Sequence, residues 1–198
     1  MASPTHIELL LLAAGSSSRM GRSKQLLTVA GEPLLVRTVK TLLDTGLSPP
    51  LVVLGAHEAE HRQALGNQPV HIISNPQWQK GMGNSLKAGI DFITTHRKSC
   101  QAVMVTVCDQ PHLSSRHLHL LVEAYHKNPN AIIASGYQNL SGVPALFGQR
   151  YFPLLATLAD HEGAKKILTT HHSEVITIPF PLGAIDLDTM ADYNTFIA

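Results

Sequence analysis

The chain is short of several features that would place it quickly. It has two cysteines in 198 residues, too few for a disulfide framework. Its formal net charge is +1, so no charge excess marks a nucleic-acid or membrane-surface binder. Its leading apolar run, Ile7–Ala14, is too short to span a bilayer, and Met1–His6 carries neither a basic start nor a signal-peptide core. A cytoplasmic protein is the default expectation. There is no Gly-Lys-Ser/Thr of a P-loop and no G-x-G-x-x-G. Internal repeats, low-complexity tracts and domain linkers are missing too. The length fits a single domain over 1–198 with a sizeable core.

What is present concentrates in Leu9–Leu27, LLLLAAGSSSRMGRSKQLL. The run Ile7–Leu12 has the length of a buried parallel strand. It ends in a loop, Ala13–Ser18, with almost no side-chain bulk. A ligand can therefore lie on the loop's backbone N–H groups, an anion-binding concavity. Gly15 and Gly21 are read as positions of unusual backbone angle. Arg19 and Lys24 supply charge where phosphates would sit. The alternative is a Gly/Ser-rich connection with surface charges.

Strand and helix signals alternate along the chain, which predicts βαβ units and a mainly parallel sheet. Strands are expected at Pro50–Leu54, Val70–Ile73, Ala102–Val107, Ala131–Ser135, Val143–Phe147 and Val175–Ile178, with a polar turn over Tyr137–Gly142. Helices are expected at Leu34–Leu43, His57–Leu65, Asn84–Thr95, Ser114–His126, Tyr151–Leu158, Ala164–Thr170 and Thr189–Ile197. Ser114 or Ser115 serves as one cap and Thr189 as another. Ligands in such sheets bind at the carboxyl ends of strands, where Ala13–Lys24, Asn75–Ser85 and Asp109–Pro111 fall.

Asp109, in VMVTVCDQP, is a carboxylate just past a buried strand, where magnesium with phosphate oxygens can bind. Its plain alternative is an ordinary turn. Asp186 and Asp188 in AIDLDTMADY share a face if extended; Asp188 is the preferred second metal ligand, with capping and solvated charge as the alternative. In NPQWQKGMGNSLKAG, Gly81 and Gly83 allow close approach to a flat base. Asn75, Asn84 and Ser85 offer hydrogen bonds to the base or a helix cap. Trp78 is read either as a cover for the opening or as a half-buried aromatic. Cys108 reads as a small core residue. The twelve histidines read as solvated surface groups.

The stretch LAAGSSSRMGRSK, Leu12–Lys24, resembles the signature of nucleotidyltransferases of the molybdenum cofactor type. That family opens with Leu-Ala-(Ala/Gly)-Gly, a small-residue loop, Arg-Met-Gly and a following Lys. The Asp109 and Asn75–Gly89 segments, SGVPALFGQRYFPLL and AIDLDTMADY are similar to later family elements. Two departures stand out. His161 and Lys165 in DHEGAKKIL replace an Asp and an Arg, and Met190 replaces a Pro.

The resemblance implies a Rossmann-like three-layer α/β/α sandwich of the nucleotide-diphospho-sugar-transferase type. It implies a nucleotide site of Leu12, Ala13, Ala14, Gly15, Ser16, Ser17, Ser18, Arg19 and Lys24 with Asn75, Gly81, Gly83, Asn84 and Ser85. Arg19, Lys24 and Asp109 would be catalytic, and Asp109 with Asp188 would hold Mg2+. Ala14 in Leu-Ala-Ala-Gly points to CTP rather than GTP, its methyl filling space a purine needs. The implied acceptor is molybdopterin, and the implied partner a molybdoenzyme or its chaperone. Two other readings stay open: a sugar- or polyol-phosphate cytidylyltransferase, and a non-catalytic nucleotide-binding accessory protein.

Overall fold

The computed structural model describes residues 5–197; 1–4 and 198, including part of the Met1–His6 stretch and of the expected 1–198 domain, lie outside them. A seven-stranded sheet runs in the order β5-β4-β1-β6-β8-β7-β9. Its strands are β1 (Ile7–Leu12), β4 (Leu51–Leu54), β5 (His71–Ser74), β6 (Ala102–Val107), β7 (Ile132–Tyr137), β8 (Leu140–Gly148) and β9 (Val175–Pro179). The pairs β1–β4, β1–β6, β4–β5 and β7–β9 are parallel. Only β8 is reversed, antiparallel to both β6 and β7. A small hairpin, β2 (Thr28–Val29) with β3 (Glu32–Pro33), stands apart from this sheet.

The central strand β1 is wholly buried, IELLLL, because helices cover both faces. Successive side chains alternate between two cores. Ile7, Leu9 and Leu11 enter one core with α1 (Leu34–Leu43) and α4 (Ser115–Lys127). Leu10 and Leu12 enter the other with α3 (Met82–His96), α5 (Phe152–Ala156) and α6 (Ala164–Thr170). These are the three expected layers. The polar helix α2 (Glu58–Leu65) buries only His61 and Leu65.

Ser114 caps α4 by accepting the His117 N–H. Thr189 caps α7 (Met190–Ile197) reciprocally: its Oγ1 accepts the Asp192 N–H, and Asp192 accepts the Thr189 N–H at 2.7 Å.

The structure departs from the expected elements at the unexpected β2–β3 hairpin and in one further stretch. Tyr137–Gly142 is not a long turn. Strands β7 and β8 extend through it and reverse at Gln138 and Asn139, both at positive φ. No helix among the described residues is long and apolar enough to cross a membrane.

Candidate active site

The carboxyl ends of β1 and β6 open onto a cavity of about 540 Å³. Its floor and rim include Leu12, the loop Gly15–Arg19, Lys24, Gly81, Ser85, Asp109 and Asp188. The three segments that the strand-end argument brings together thus converge, and Asp188 joins them as a fourth.

The loop after β1 is bent by Ser17, at φ 55°, and by Gly21, at φ 68°. Gly15, expected to have an unusual backbone angle, does not adopt one; a Cβ placed on it would meet nothing within 4 Å, because it faces open cavity. Among the described residues, the amides of Gly15, Ser16 and Ser17 donate to no protein acceptor. A row of free amides in a concave loop is an anion cradle.

Lys24 lies at the centre of the charges. Its Nζ donates to Asp109 Oδ2 at 2.8 Å and to Asp188 Oδ1 at 2.9 Å. Burial opposes the ammonium, but the two carboxylates outweigh it and hold its pKa above the ordinary value. The hydrogen bond from Lys24 holds the Asp188 carboxyl below the usual range, with burial opposing and Arg19 helping. Arg19 is largely exposed and reaches Asp188 Oδ2 at 3.0 Å.

The segment bearing Asp186 and Asp188 is anchored by Leu187, which is fully buried and donates its N–H to the Asp109 carbonyl. The two carboxylates flank Leu187 but serve different spaces. Asp188 lines the main cavity, whereas Asp186 lines a neighbouring one of about 180 Å³. Desolvation inside the cleft, with Asp109 and Asp188 alongside, pushes the Asp186 carboxyl up to about 6.

This smaller cavity shares Leu12, Met82 and Asp109 with the first and adds Gln110, Tyr137, Val143 and Lys165. Segments SGVPALFGQRYFPLL and DHEGAKKIL both contribute to it.

The donor set fits a hard divalent cation in part. Asp109 and Asp188 already reach one shared point charge, the Lys24 ammonium. Among the described residues no three His, Cys, Asp or Glu side chains converge. A two-carboxylate site completed by substrate phosphates and water is the arrangement magnesium favours.

The segment 75–85 divides. Gly81 and Ser85 line the cavity. Asn75 does not; it is buried, donating Nδ2 to Ser85 Oγ at 3.0 Å and accepting the Gln77 N–H. Gly83 serves packing: a Cβ there would lie 2.2 Å from the Ala159 carbonyl oxygen. Its N–H and the Asn84 side chain both bond to Asp160. Trp78 is half-buried against Gly55 and also lines the cavity, so both readings of it hold.

The Ala14 methyl does not line the cavity; Ala14 is buried in the core cluster with Leu12, Val53 and Leu86, and its carbonyl accepts the Ala56 N–H. Cys108 is buried, its thiol pushed up to about 12 by burial, in keeping with a core role. Two histidines contradict the surface reading: His61 and His117 are buried, each against a serine hydroxyl.

The main omission from the sequence reading is Gln25. It directly follows the Leu12–Lys24 stretch, but an amide after a lysine gives no sign of burial. It is 2% exposed, and its Nε2 donates to the carbonyls of Ala13 and Gly15.

Comparison with known proteins bears on this geometry. The MobA-like NTP transferase domain matches residues 9–175. Nicotine blue oxidoreductase of Paenarthrobacter nicotinovorans is 30% identical over 168 residues, 80% of this chain and 79% of that protein. A probable molybdenum cofactor guanylyltransferase of Synechococcus elongatus is 43% identical over 68 residues, 34% of each chain. A Mycobacterium tuberculosis protein solved in complex with manganese superposes with a TM-score of 0.76, at 22% identity, over 96% of this chain and 97% of that one. The fold is the Rossmann-like nucleotide-diphospho-sugar-transferase type.

Proposed function

This chain belongs to the MobA-like NTP transferase domain family and is a nucleotidyltransferase, and from that premise we propose which reaction it runs. An oxygen of a phosphorylated acceptor attacks the α-phosphate of CTP, giving a cytidylyl-linked diphosphate and pyrophosphate. Molybdopterin is the proposed acceptor, and a molybdoenzyme or its chaperone the proposed recipient of the product.

The observation that carries the reading is Lys24, held between Asp109 and Asp188 beside a loop of free amides. Such chemistry needs positioning and charge neutralisation rather than a covalent enzyme nucleophile. The loop amides of Gly15–Ser17 hold phosphate oxygens. Lys24 and Arg19 neutralise the α-phosphate and the departing pyrophosphate. Asp109 and Asp188 would hold Mg2+, which when bound supplies charge neutralisation and polarises phosphate oxygens. The manganese complex of the Mycobacterium tuberculosis protein supports a divalent ion in this fold. The smaller cavity, with Lys165 on its wall and Asp109 at the junction, is proposed to take the acceptor.

CTP is preferred on the strength of Ala14 at the family's variable position. Because its methyl points into the core, the residue acts through the path of the loop. The proposal treats 1–198 as one domain, since both apolar cores share the one large sheet. Two buried free cysteines suit a reducing compartment such as the cytoplasm.

The test is a matrix of CTP, GTP, ATP and UTP against molybdopterin and simple sugar and polyol phosphates, with pyrophosphate as the readout. Turnover of CTP with molybdopterin is the expected result. Turnover only with a sugar or polyol phosphate selects the cytidylyltransferase alternative. Nucleotide binding with no pyrophosphate under any pairing selects the accessory-protein alternative.

A further inference from the structure

Gly15–Ser17, whose amides donate to no protein acceptor among the described residues, line the cavity, while a side chain behind the loop takes up two of its carbonyls. The Gln25 amide group lies against the carbonyl oxygens of Ala13 and Gly15, at 3.3 and 3.1 Å. Two carbonyls facing the amide end fix the orientation of the side chain, with Nε2 toward the loop and Oε1 away. Its Oε1 then receives the only proton of Ser17 Oγ at 3.2 Å and the only proton of Ser23 Oγ at 2.9 Å. Ser17 Oγ in turn accepts the Lys24 N–H at 3.0 Å. Ser23 has spent its proton, so His61, 2.7 Å away, must donate to it through Nε2–H. That leaves Nδ1 bare, and Nδ1 is the His61 nitrogen buried without a partner. Every donor in the chain from His61 to the loop thereby has one acceptor, and only the His61 Nδ1 lone pair is left without a partner.

The planarity of the peptide bond gives this chain a consequence at the site. In a trans peptide, C=O and the following N–H point in opposite directions. With the Gly15 carbonyl drawn onto Gln25, the Ser16 N–H is turned the opposite way. Ser17, whose hydroxyl is used internally, sits at the left-handed bend that the same contacts brace.

We propose that Gln25 is a positioning residue for nucleotide binding, which holds the Gly15–Ser17 amides in their phosphate-binding orientation and is itself held by Ser17, Ser23 and His61. This rests on the nucleotidyltransferase reading of the same cavity. It assigns the hydroxyl of Ser17 to loop bracing, not to phosphate.

The test compares wild type with Gln25→Glu and Ser23→Ala at pH 8. Glutamate keeps the shape and both acceptor contacts but loses the two donors to Ala13 and Gly15. Folding is verified by circular dichroism. Titration with CTP in the presence of manganese should show affinity falling at least tenfold in Gln25→Glu and about threefold in Ser23→Ala. In turnover, KM for CTP should rise by similar factors while kcat changes less than threefold, a split that general loss of stability would not produce. Backbone 15N order parameters of Ser16–Ser18 should drop in Gln25→Glu, whether or not any ligand binds. Unchanged affinity and unchanged order parameters in a folded Gln25→Glu would overturn the proposal. If Gln25→Glu does not fold, Ser23→Ala decides by the same readouts. If wild type binds neither CTP nor inorganic pyrophosphate, the nucleotide reading fails, and the order parameters still decide whether Gln25 braces the loop.

Discussion

Lys24 is shared between two carboxylates, one from the middle of the chain and one from near its C-terminal end, and its loss should be felt in catalysis before it is felt in folding. Lys24→Ala removes a preorganised cation, worth on the order of 2–4 kcal/mol of transition-state stabilisation. Pyrophosphate-release kinetics should show a drop of roughly a hundredfold or more, while the melting temperature moves by a few degrees. Asp109→Asn keeps the volume and leaves Lys24 its second partner, Asp188. The amide cannot supply the negative oxygen that a hard cation requires. Turnover should collapse and not recover as magnesium is raised; normal rates at low magnesium would make Asp109 a turn residue. Ala14→Gly is the informative change for base choice. A methylene-sized effect is worth about 1–3 kcal/mol in a pocket that feels it directly, and Ala14 acts indirectly through the loop. The ratio of kcat/KM for CTP to that for GTP should therefore fall modestly, without inversion.

Where α3 begins, its N-terminus is pressed into the turn 159–162. Gly83→Ala would drive a methyl into the carbonyls of Ala159 and Glu162, at 2.2 and 2.6 Å. Backbone cannot swing aside as a flexible side chain can, so a cost of about 1–3 kcal/mol is expected, read by urea unfolding. Gly15→Ala meets no atom and should leave stability unchanged. The same element shows what the sequence could reveal. Apolar runs bounded by breakers were legible: β6 spans Ala102–Val107 and α6 spans Ala164–Thr170, as their patterns predict. The β7–β8 reversal falls within the expected turn Tyr137–Gly142, but its tightness was hidden because Ser141 and Gly142 look like turn residues, whereas the bend is confined to Gln138–Asn139. The β2–β3 hairpin has two residues per strand, too few for a period. That Arg19, Lys24 and Asp109 line one cavity could be read from residue type and strand-end position. The burial of Gln25, Asn75 and His61 could not, because a polar residue reads as surface until the folded chain brings its partners into place.

For the molecule as a whole, the two buried histidines set a limit on the acid side. Burial lowers the pKa of His61 and of His117 from 6.5 to about 4, with the neighbouring His57 charge also disfavouring a second cation at His61. Below pH 6.5 the unfolded chain takes up protons at both sites that the folded chain refuses until about pH 4. Stability is therefore fully present above pH 6.5 and falls as pH drops toward 4, by on the order of 3 kcal/mol per histidine at about 1.4 kcal/mol per unit. Urea midpoints measured between pH 7 and 4 should decline, and His117→Gln should flatten the slope. The ion pair of Lys24 with Asp188 also has a consequence for biosynthesis. Its two ends are separated by 164 residues. At a ribosomal pace of about 5–20 residues per second, the loop after β1 emerges roughly 8–30 s before the carboxylate that completes its charge balance. Lys24 gains Asp109 roughly midway through that interval, and Arg19 meets Asp188 only when nearly the last helix has been made.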